Sequence, residues 1–73
     1  MKTEELIKIQ EELERIVDET DLQQTLQLLS AVCFEKAYHI ESNWQDSALA
    51  QSWEIAGKAI EKLSVNQRIM AVC

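Results

Sequence analysis

Proline is absent from the 73-residue sequence, and glycine occurs once, at Gly57. A phosphate-cradling loop, a dinucleotide-binding fingerprint and a nucleophile elbow all need glycines at turns, so a lone glycine inside "EIAGKAI" excludes them. Histidine also occurs once, at His39, and the two cysteines, Cys33 and Cys73, fit no zinc or redox spacing. Cys33 lies in an apolar run and reads as a buried thiol, whereas Cys73 reads as a frayed terminal residue. The acidic turn "DETD" lacks the glycine and the ligand spacing of a calcium-binding loop. No metal or cofactor is expected.

Basic residues are scarce as well, with seven Lys and Arg against thirteen Asp and Glu and a formal net charge of −6. Nucleic-acid binding rests on a cationic footprint that displaces counterions, and Lys36, Lys58, Lys62 and Arg68 do not make one beside so many carboxylates. The longest apolar stretch, around Leu28 to Phe34, is too short and too interrupted to cross a bilayer. The opening segment "MKTEELIKIQEELERIV" is acidic and amphipathic, unlike a secretory or transit peptide, which makes the cytoplasm the expected compartment.

What is present is a composition drawn largely from Leu, Ile, Ala, Gln and Glu, with Lys among the few bases, most of them good helix formers. Leu6, Ile9, Leu13 and Ile16 recur at steps of three and four and draw one apolar stripe down a first helix. Glu4 with Lys8 and Glu11 with Arg15 have the favourable ion-pair spacing on its wet side. A second stripe runs Leu22, Leu26, Leu29, Cys33, Ala37 and Ile40, but Leu28, Ala31, Val32, Phe34 and Tyr38 fall off it, so this helix is apolar nearly all round in its middle. A third stripe reads Leu49, Trp53, Ala56, Ile60 and Leu63. Gly57 sits inside it, which suggests either a bulky neighbour packed close or a tolerated surface glycine.

Thr3 is the expected first cap, and Thr20 with Gln23, Ser42 with Gln45 and Ser64 with Gln67 each have the spacing of a capping box. Together these features predict an all-α single domain, 1–73: a three-helix bundle with helices at about 3–18, 21–40 and 43–63. A short C-terminal helical extension follows, either separate or continuing the third helix. A chain of this size supports only a small core, and a second copy would stabilise it.

Function is then a matter of surface. The eight acids of Met1 to Asp21 face only three bases, which would attract a basic partner. Trp44 lies in the polar stretch "ESNWQDS" at the expected turn, as a staple against the preceding helix or as an anchor for a partner. The expected contact surface comprises Leu28, Val32, Phe34, Tyr38, Asn43 and Trp44. The leading expectation is a non-catalytic adaptor or regulatory module that binds protein and self-associates as a homodimer or higher homo-oligomer. An acidic inhibitor that mimics nucleic acid through its first helix is the alternative. A small enzyme built on His39, with Glu35 one turn before it, ranks last because no nucleophile and orienting carboxylate are forced to converge there.

Overall fold

A computed structural model describes residues 2–72, which contain helices and no strand. The helices are α1 (Thr3–Glu19), α2 (Leu22–His39), α3 (Ser47–Ser64) and a single turn, α4 (Gln67–Met70). A π-helical turn, Ile40–Trp44, continues α2. The all-α expectation therefore holds, and the C-terminal extension is a separate short helix. Asn43 and Trp44 belong to the end of the second helical segment, not to the start of the third. The frayed end expected at Cys73 lies outside the described residues.

The helix starts depart from the capping-box reading in a consistent way. Asp21 caps α2 by accepting from the Gln24 amide at 2.7 Å, Asp46 caps α3 by accepting from Leu49 at 3.0 Å, and Asn66 caps α4 by accepting from Arg68 at 2.9 Å. Two of the expected hydroxyl caps point backwards instead: Thr20 Oγ donates to the Ile16 carbonyl at 2.7 Å, and Ser64 Oγ donates to the Glu61 carbonyl at 2.6 Å. A hydroxyl near a helix C-terminus has unsatisfied carbonyls within reach, and the short Asx side chain that follows is left to face the next helix's free amides. Ser42 is absorbed into the π-helical turn. The first helix is preceded by Lys2, which makes no side-chain cap, in place of the expected Thr3.

The turn between α2 and α3 closes through Gln45, at φ 54° and ψ 31°. Left-handed backbone disfavours a residue with a Cβ by about 1–2 kcal/mol. Gln45→Gly is therefore expected to raise stability by about 0.5–1 kcal/mol after its own entropy penalty. An unchanged or lower urea midpoint would refute that.

The tertiary core is the antiparallel hairpin of α2 and α3. Its buried line is made of small residues: Ser30, Cys33 and Ala37 on α2 face Ala50, Gly57 and Ser64 on α3. Small side chains let the helix backbones approach closely, and Ser30 Oγ reaches across to donate to the Gly57 carbonyl at 2.7 Å. A Cβ built on Gly57 would lie 3.1 Å from the Phe34 ring and 3.3 Å from Cys33 Cβ. Of the two readings of Gly57, the close bulky neighbour is the one observed. The buried line of α3 runs one position on from its apolar stripe, so Leu49, Trp53, Ile60 and Leu63 turn toward the side of the hairpin and not into it.

α1 does not close over that side. Among the described residues it touches α2 and neither α3 nor α4, and only Ile16 and Val17, next to the turn, lose much exposure. The turn is braced by Thr20 Oγ at 3.1 Å from Thr25 Oγ and by Thr25 Oγ donating to the Asp21 carbonyl at 2.8 Å. The result is a flat molecule, 38 × 34 × 16 Å, with a radius of gyration of 14.3 Å where a compact domain of this length has about 11 Å. The expected three-helix bundle is thus not closed within one chain.

Candidate protein-binding surface

The two faces of the hairpin differ in chemistry. On one, α2 presents Leu29 and Val32, the π-helical turn presents Ile40, and α3 presents Leu49, Trp53 and Ile60. A groove of about 490 Å³ lies over this face, with Val32, Ile40, Trp44 and Trp53 as its apolar lining and Glu35, Lys36 and His39 at its polar edge. A neighbouring hollow of about 330 Å³ is lined by Leu49, Ser52, Trp53 and Ala56. Trp53 lines both, so the two hollows adjoin along the hairpin. The opposite face is more polar, with a hollow of about 280 Å³ bounded by Gln27, Ser30, Ala31, Phe34 and Glu61.

This arrangement divides the contact surface expected from sequence. Val32 and Trp44 line the apolar groove, and Trp44 is 77% exposed. Phe34 lies on the other face, half-buried against Gly57, and contributes to helix packing. Leu28 lines a separate hollow with Gln24 and Gln27. Tyr38 is 69% exposed and stands edge-on to His39, with ring centroids 5.9 Å apart. Asn43 is exposed in the π-helical turn. The six residues therefore do not make one patch.

Residues of the predicted apolar stripes are uncovered as well. Leu6 and Leu13 on α1 are 50% and 51% exposed, and Ile9 beside them is also exposed. Leu29, Leu49 and Leu63 on the hairpin are exposed to a similar degree. One sequence signal could have revealed the hairpin's share. Ala50, Gly57 and Ser64 recur every seven residues beside a line of large apolar residues, and small residues at that period mark a close helix contact that displaces the large ones sideways.

On the charged side of α1 the ion pairs among the described residues are those of Arg15. The Arg15 guanidinium donates to Glu12 at 2.8 Å and to Glu19 at 3.0 Å, in place of the Glu11 that spacing favours. The hydrogen bond to Glu12, then that to Glu19, holds Arg15 above its ordinary pKa. Among the described residues no three His, Cys, Asp or Glu side chains gather into a set that could hold a metal ion. His39 is exposed, with Glu35 at the same groove edge, and Cys33 is buried in the hairpin contact. None of the described helices is long and apolar enough to cross a membrane. The chain matches no protein-family model, no curated protein and no solved structure.

Proposed function

We propose that this protein is a non-catalytic helical module that binds protein and self-associates. The observation that carries the reading is the uncovered apolar surface. The accessible area of 6013 Å² exceeds by roughly 1,400 Å² what a compact chain of 8.4 kDa exposes. Leu6, Ile9 and Leu13 on α1, each about half exposed, and the apolar lining of the hairpin groove contribute to that excess. The nucleic-acid-mimicking alternative is favoured less, because Arg15 interrupts the carboxylates of α1 and an apolar stripe runs beside them.

Sedimentation equilibrium over a wide concentration range, in reducing buffer to exclude thiol cross-links, tests this reading. A dimer or higher oligomer is the expected result, and a monomer throughout would remove the self-association. A single substitution adds a sharper prediction. Trp44 is nearly free of its own chain, so Trp44→Ala is expected to change folding stability by less than about 0.5 kcal/mol. If Trp44 anchors a partner surface, the same change weakens assembly roughly tenfold or more. Unaltered assembly would exclude Trp44 from the interface.

A further inference from the structure

We infer that the open face of the hairpin is covered by α1 of a second copy, in a reciprocal arm exchange that builds two three-helix bundles from two chains. The inference rests on the self-association proposed above and names its geometry. The hairpin lacks a third helix on the side where Leu29, Val32, Trp53 and Ile60 lie, and α1 carries the stripe Leu6, Ile9 and Leu13 with nothing against it. Lengths match: α1 has 17 residues, about 25 Å, and α2 and α3 each have 18, about 27 Å.

Area and charge favour a second copy over other occupants. If two chains each buried the excess of roughly 1,400 Å², the interface would total about 2,800 Å², within the range of obligate homodimers. Glu5 flanks the α1 stripe, Glu12 beside it is paired with Arg15, and the groove edge that the stripe would enter carries both Glu35 and Lys36, so like-charge repulsion does not oppose the docking of a second copy's arm there. A lipid surface suits this arm poorly, because anionic headgroups would repel its acidic side. The short, braced connection at Thr20 and Asp21 holds α1 away from its own hairpin, and such short hinges favour exchange between copies.

Arm exchange predicts complementation. Leu13→Lys damages the arm and Leu29→Lys damages the face; both residues are about half exposed, and both changes lower the net negative charge, so added repulsion between chains is not the cause of any loss. Each full-length variant alone is expected to dissociate at least tenfold more readily than the parent. In an equimolar mixture one heterodimer pairs the intact arm of the Leu29→Lys chain with the intact face of the Leu13→Lys chain, and puts both lesions in the other half. Sedimentation is therefore expected to show the mixture dimerising more tightly than either variant alone. Absence of rescue, or parental dimerisation by either variant alone, would overturn the exchange while leaving self-association standing. A parent that stays monomeric would overturn both. Circular dichroism on each variant separates lost assembly from lost folding, and rescue itself shows that both chains are competent to fold.

Discussion

Gly57→Leu is expected to unfold the protein, or to leave it without a cooperative transition. The position lies in the centre of the hairpin contact, where even one added methyl would meet the Phe34 ring at 3.1 Å and Cys33 Cβ at 3.3 Å. The ring borders an open hollow and can swing, but Cys33 Cβ is fixed to the α2 backbone and yields only if the helices part. Parting them breaks the Ser30 to Gly57 hydrogen bond and opens the line of Ala37 and Ala50. Overpacking at a well-packed site costs about 1–3 kcal/mol, which rivals the whole stability that a chain this small draws from its own core. Gly57→Ala is expected to be close to neutral, because about 1 kcal/mol of recovered helix propensity offsets a shift of a few tenths of an ångström. Thermal and urea unfolding followed at 222 nm measure both. A Gly57→Leu variant with the parental midpoint would mean that the helices do not approach as closely as described.

Dilution below the dissociation constant is expected to melt α1 selectively. Isolated helices shorter than about 12–15 residues are marginal in water, and one of 17 without tertiary support is only slightly better placed. The exposed pairs of Arg15 with Glu12 and Glu19 add little and weaken with salt. With α1 lost and the two 18-residue hairpin helices retained, helical ellipticity should fall by roughly a quarter on dilution. Hydrogen exchange locates the change: α1 amides should lose protection in the monomer while the Ser30 to Ala37 amides keep theirs. Full helicity in a demonstrated monomer would show that α1 is stable without a partner.

The capping boxes show where reading by local spacing stops. Thr20, Ser42 and Ser64 have the right neighbours for forward caps, yet Asp21, Asp46 and Asn66 do that work. A hydroxyl at a helix boundary can serve the carbonyls behind it or the amides ahead, and spacing does not distinguish them. The choice depends on where the preceding helix ends, as with the π-helical turn that carries Ser42.

Helix content and element order were legible in the residues because both follow from short-range properties: intrinsic propensity, apolar period and the scarcity of glycine and proline. The excluded chemistries follow in the same way from residues that are not there. Which apolar stripe meets which was settled by packing alone. The lines of Ser30, Cys33 and Ala37 and of Ala50, Gly57 and Ser64 allow a close backbone approach, so the small residues take the contact, Leu29, Leu49 and Leu63 turn outward, and Trp53 is left half-buried at the side. The same limit explains α1, whose stripe has the right period for burial but no surface of its own chain within reach. Periodicity specifies that a face is apolar; the direction of the chain after Thr20 and Asp21 decides whether anything lies opposite it.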